Sequence, residues 1–175
     1  MRKTLRQPVP RTRSHTVESR MAIAKHPIHP MLVVYPVALL SLVPLTDLLY
    51  LWQGDEFWAR LSYWLCVGGL GMGAIAAVVG TLDMFMIRVV RRHVSAWSHF
   101  MAAVMVLALA AAGVWLRAPD PQAAVWPWGL LLSGVMLVMV MVAGWLGGTL
   151  SFRHGIGVYG DEDTRERSGD RPPAE

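Results

Sequence analysis

The chain carries six histidines, His15, His26, His29, His93, His99 and His154, and two aspartates, Asp47 and Asp83, that fall in or beside apolar runs. Neutral imidazole is the common side chain for holding haem iron or a divalent transition metal, and a carboxylate can add an oxygen ligand to the second kind of site. Two of the imidazoles open the stretch KHPIHPMLVVYP at 25–36, where a long uncharged run begins. No HExxH or ExxH spacing is present, so a shared site must draw its ligands from separate segments. Cys66 is the single cysteine, which excludes an internal disulfide, a zinc knuckle or a cysteine-held cluster. The chemistry open to this set is imidazole ligation, and the segments must bring the rings together.

Those segments are membrane spans. Of the 175 residues 54% are hydrophobic and only 16% charged, and the charges avoid four runs: 31–46, extended through DLLYLW, then 61–82, 94–116 and 121–152. Each reaches or approaches the roughly 20 residues that a helix needs to cross about 30 Å of hydrocarbon. They are apolar all round, as expected of helices with lipid outside and neighbours inside. The expected fold is all-α, an integral membrane four-helix bundle running up-down-up-down, over residues 25–158. A basic tail at 1–24 and a charged, proline-bearing tail at 159–175 are expected to be disordered. The first twenty residues contain no short apolar region, so no cleavable signal peptide is expected.

Charge orients the spans. Seven lysines and arginines precede the first run, three (Arg88, Arg91, Arg92) lie between the second and third, and four follow the last. The other side holds Arg60 and Arg117 alone, so the basic residues divide 14 to 2. By the positive-inside rule both termini are cytoplasmic, in a bacterial inner membrane. This distribution accounts for the pI of 9.7 without a nucleic-acid partner. Tyr50, Trp52, Trp58, Trp115, Trp126 and Trp128 then form an aromatic belt at the outer interface, and Trp97 marks the inner one.

In this topology all six histidines fall on the cytoplasmic side. His26, His29, His99 and His154 lie near enough to the runs to sit at the end of the bundle, and Asp83 joins them at the end of the second span. Helical spacing sharpens the grouping, because residues three and four apart share a face. Gly69, Gly73, Ala76, Gly80 and Asp83 make one stripe; His99, Ala103, Val106, Ala110 and Gly113 a second; Gly144, Gly147, Ser151 and His154 a third. Small residues let membrane helices approach closely, and glycines beside an imidazole also leave room for a flat cofactor. The pattern permits both readings. Pro30 suits the first position of a helix, which puts His29 near its N-cap. His26 is read most simply as part of a rigid lead-in at the headgroups, and His15 and His93 as solvated among charges. Asp47 follows His29 by 18 residues, five turns or about 27 Å along an unbroken helix. It is read as a proton-relay group or, more simply, as a polar residue at the helix end.

HPIHPMLVVYP at 26–36, the aspartate of LTDLLY, GTLD at the end of the second span, a histidine opening the third and GWLGGTLSFRHGIGV at 144–158 together resemble a family of bacterial four-span membrane proteins, domain of unknown function 2231. The resemblance covers roughly residues 24–158. Some members look to be joined to Rieske-type iron–sulfur domains, which implies a redox setting. This chain has no such domain, so a redox role would need a partner protein or a quinone.

Three readings follow. In the first, haem b is held by two imidazoles from facing helices, drawn from His29, His99, His154 and His26, and the protein transfers electrons. In the second, a divalent metal is bound by His29, His99, His154 and Asp83. In the third, the protein is a structural or assembly subunit without a cofactor, its histidines acting as hydrogen-bonding glue. The lipid bilayer is a partner in all three, and a homo-oligomer is compatible with each. No phosphate-cradling loop, no Ser/His/Asp set outside the bilayer and no internal inverted repeat points to other chemistry.

Overall fold

The computed structural model describes Val17, residues 19–24 and residues 26–157. His15 and the tail from 159 onward lie outside them. Helix α1 spans Ile28–Gln53, α2 Glu56–Met86 and α3 Val94–Arg117. The fourth span is composite: a short α4, Pro121–Ala124, a kink over Val125–Gly129, and then α5, Leu130–His154. All four are long and apolar enough to cross a membrane, at 26, 31, 24 and 34 residues. At about 1.5 Å per residue α2 is roughly 46 Å long. Its polar ends, near Asp55 and Asp83, therefore extend beyond the hydrocarbon.

Local sequence sets these boundaries. The Asp55 carboxylate caps α2 by accepting from Phe57 N–H at 2.9 Å, and Asp120, followed by Pro121, caps α4 by accepting from the N–H groups of Gln122 and Ala123. Gly54 and Gly155 close α1 and α5 in the left-handed conformation, at φ 72° and 61°, which glycine adopts without a Cβ penalty. The helix α1 starts at Ile28, two residues before Pro30, so His29 lies in its first turn, where backbone N–H groups lack intrahelical partners in any case. Pro36 and Pro44 are buried inside α1 and the helix runs through both. In the fourth span, Trp126 leaves helical dihedrals at φ −112°, ψ 136°, which breaks the helix ahead of Pro127.

Helix α1 packs against α2 and α5, and α3 packs against the same two, so α1 and α3 form one diagonal of the bundle. The core between them is Leu40, Val43, Leu65, Cys66, Val106, Ala110, Met136 and Val140. Large apolar side chains such as Leu45, Trp64, Val78, Met101 and Val138 point outward, as lipid-facing positions should.

Close approach explains part of the glycine stripe in α2. A Cβ on Gly69 would come within 2.3 Å of Leu40 Cδ2, and one on Gly73 within 2.7 Å of Leu107 Cδ2. Gly71, on the other face, has nothing within 4 Å. G69A is therefore expected to destabilise the protein by about 1–3 kcal/mol through overpacking. G71A should be neutral or stabilising by up to about 1 kcal/mol, because alanine is the better helix former. Melting of the two variants in detergent checks the difference.

Candidate functional site

His29, in the first turn of α1, and His99, in the second turn of α3, meet across the centre of the bundle. Their ring centres are 6.4 Å apart and their planes 82° to one another. Both rings are half-buried. Both line a cavity of about 370 Å3 whose walls include Gly73, Gly80, Gly144 and Gly147.

Each ring is seated by a helix of the other diagonal. His29 Nδ1 lies 2.9 Å from the carbonyl oxygen of Ala76 in α2, and His99 Nδ1 lies 3.0 Å from that of Ala143 in α5. A carbonyl has no proton to give, so Nδ1–H must donate in both cases. In the neutral ring Nε2 is then left with its lone pair. Neither Nε2 has a hydrogen-bond partner among the described residues. A glycine lies four residues after each accepting alanine, and it is needed there. A Cβ on Gly80 would stand 2.7 Å from His29 Cε1 and Nδ1, and one on Gly147 would stand 3.1 Å from His99 Cε1.

The two hairpins, α1 with α2 and α3 with the fourth span, thus repeat one unit of histidine, carbonyl and glycine. The likeness extends to the opposite end, since Asp47 follows His29 by 18 residues and Arg117 follows His99 by 18. There the diagonal helices meet again. Arg117 Nη2 donates to Asp47 Oδ2 at 2.6 Å and to Gly129 O at 3.1 Å, Nε donates to Ser62 Oγ at 3.1 Å, and Nη1 reaches Gly113 O at 3.4 Å. Ser62 and Ser133 both donate to the Asp47 carboxylate, at 2.5 and 2.7 Å. The side chains of Arg117 and Asp47 are 1% and 0% exposed. Sequence reasoning missed this clamp: it counted Arg117 among the outer-side charges and read Asp47 as a proton-relay group or a polar residue at the helix end. The equal 18-residue spacing, with opposite charges at the two positions, was the available signal.

The remaining candidates lie elsewhere. His154 sits at the end of α5 with its ring centre 4.8 Å from that of His93, and its Nε2 is 3.3 Å from Ser95 Oγ. His93, expected to be solvated, is half-buried in this contact. His26 is exposed and donates from Nδ1 to Ala24 O at 2.9 Å. Asp83 lines the mouth of the cavity, but its carboxylate accepts from Ser19 Oγ and from the N–H groups of Arg20 and Met21, at 3.0 and 2.9 Å. Among the described residues no three His, Cys, Asp or Glu side chains gather as a metal-binding group.

Fold and site together define a class: a four-helix membrane bundle with paired imidazoles on its axis at one end and a buried ion pair at the other. The chain belongs to the family described as predicted membrane protein (DUF2231), which matches it over residues 25–160. No curated protein and no solved structure matches it.

Proposed function

We propose that the protein is a b-type haem protein of the bacterial inner membrane that transfers electrons, with His29 and His99 as the two axial ligands. The observation that carries this reading is the pair of imidazoles on diagonal helices, each tied through Nδ1 to a carbonyl and each with a free Nε2. Hydrogen bonding of the second ring nitrogen to a carbonyl is how ligating histidines are oriented and made more basic. A metal centre bonded at about 2 Å to two opposed nitrogens, each about 1.1 Å from its ring centre, separates the rings by roughly 6 Å. The separation of 6.4 Å supports that arrangement.

Ligand count favours haem over a bare metal ion. A porphyrin brings its own four equatorial nitrogens and asks two ligands of the protein, whereas a divalent ion held by His29 and His99 alone lacks a third protein ligand among the described residues. The cavity of about 370 Å3 lies within the range of small-molecule pockets, about 300–1,000 Å3. Bound here by His29 and His99, haem would supply a one-electron couple. The protein's part is to hold two rings in one tautomer and surround them with apolar walls. Seven basic residues ahead of the first span and the three arginines between the second and third support a cytoplasmic location for the histidine end and both termini. Electrons would be exchanged with a partner protein or a quinone.

The visible spectrum of the detergent-purified protein, before and after dithionite, tests the proposal. An intense band that shifts on reduction and is unmoved by carbon monoxide is expected. A protein that stays colourless after incubation with hemin overturns the haem reading. Metal analysis of that sample then separates a zinc-type site from a purely structural pair.

A further inference from the structure

The segment before α1 crosses the mouth of the histidine cavity. Strand β1, Ala22–Ile23, pairs antiparallel with β2, His26–Pro27, and Ile28 N–H donates to Met21 O at 3.0 Å, which folds the segment back over the start of α1. It then reaches the end of α2, where one carboxylate, Asp83, takes three donors from Ser19, Arg20 and Met21. Val17 goes on to the end of α5, donating to Gly155 O at 3.0 Å and accepting from Gly157 N–H at 2.8 Å. Ser19, Pro27, Asp83 and Ile156 line the same cavity as His29 and His99. Asp83 is three residues beyond Gly80, which touches His29, so the point of attachment lies about one turn above the imidazole.

We infer that the described residues of 17–24 form a strap, latched on Asp83 and on the end of α5, that closes the aqueous mouth of the cavity, and that its release admits the ligand of His29 and His99. The polar attachments are few and near water, and Val17 adds one apolar contact against the small cluster of Met84, Val90 and Ala96 at the bundle end, whereas the spans beneath are held by the larger buried apolar core. Such a segment opens locally without global unfolding. Asp83 acts as a latch, because a single side chain satisfies three groups of the strap and none of the bundle helices offers it another partner among the described residues. The inference rests on the haem reading for what enters, but not for the gate itself.

The test uses the full chain without haem. In a C66A background the only thiol is supplied by A103C, four residues beyond His99 and lining the cavity. Its rate of reaction with a cationic, water-soluble methanethiosulfonate is compared with D83A and with V17P added separately. V17P removes the N–H donated to Gly155 and draws the side chain off the Met84, Val90 and Ala96 cluster without altering any residue of the four spans, so it decides the matter if D83A fails to fold. Labelling should accelerate about tenfold or more in each, because reaction runs through the open fraction. Equal rates in the parent and in folded V17P overturn the strap. Accelerated labelling in a protein that takes up no hemin supports the strap and removes only the identity of its ligand.

Discussion

Replacing Asp47 with alanine is expected to cost about 3–5 kcal/mol, the usual price of leaving one buried charge without its partner. For a chain of this size that is a fall in melting temperature of roughly 6–20 °C. In D47A the guanidinium of Arg117 keeps three acceptors, Ser62 Oγ, Gly113 O and Gly129 O, but loses the only anion that touches it among the described residues. Ser62 and Ser133 lose their shared acceptor at the same time. The double variant D47L/R117M removes both charges and fills the space with apolar atoms, so it should recover most of the loss. R117M alone should behave like D47A, because the carboxylate is then the orphan. Cys66 is the single cysteine and fully buried beside this clamp, so a thiol-reactive fluorophore reports the melt directly. If D47A melts within about 2 °C of the parent, the ion pair is not what fastens this end of the bundle.

The clamp joins α1, α2, α3 and the start of α5 in one network, and its distance from the histidines is fixed by the 18-residue spacing, about 27 Å along the helix. Fastening one end in this way leaves the other free to hold a cavity. At the histidine end, where Gly73, Gly80, Ala103, Ala143 and Gly147 line a cavity, the helices gain less from packing than at the apolar core. The buried ion pair and its two serines compensate by specifying which helices meet and in what register.

The spans were legible because lipid imposes a length and a composition that few other environments do. Helical spacing also found the stripe residues, but it grouped Gly80 with Asp83 and Gly147 with His154, whereas the rings they meet are those of His29 and His99. Spacing along a helix gives the face but not the depth. His154 shares a face with Gly147 but lies seven residues on, about 10 Å further along the axis, which carries it past the cavity to His93 and Ser95. Asp83 likewise shares a face with Gly80, but the groups that occupy it come from a segment more than sixty residues away. Arg117 counted only as an outer-side charge because a basic residue at the end of an apolar run usually meets water. Its partner, seventy residues earlier, becomes visible only when α1 and α3 are seen to be diagonal. The repeat escaped notice for a related reason. It is parallel rather than inverted, and it rests on a histidine, a carbonyl, a glycine and a charge in each half, of which the carbonyl has no sequence signature at all.

On the haem proposal, singly replacing His29 or His99 by alanine is expected to abolish the visible band, while H26A and H154A keep it. The four residues are separated by the geometry of their second ring nitrogens. His29 and His99 donate Nδ1–H to carbonyls and present free Nε2 atoms at the cavity, whereas His154 turns Nε2 to Ser95 and His26 lies exposed before α1. A sharper version leaves both ligands in place. G80V and G147V put a branched side chain where a single Cβ would already stand 2.7 or 3.1 Å from the imidazole, so the ring must swing off its carbonyl. Loss of that orienting contact should weaken cofactor binding by about 10–100-fold, the range found when outer-shell partners of ligating histidines are changed. Titration of the apoprotein with hemin reads the shift, and melting of each variant shows whether the bundle persists. Colour that survives in both H29A and H99A would take the site away from the pair. An equal loss in H154A would mean that the bundle end, rather than two opposed rings, holds the cofactor.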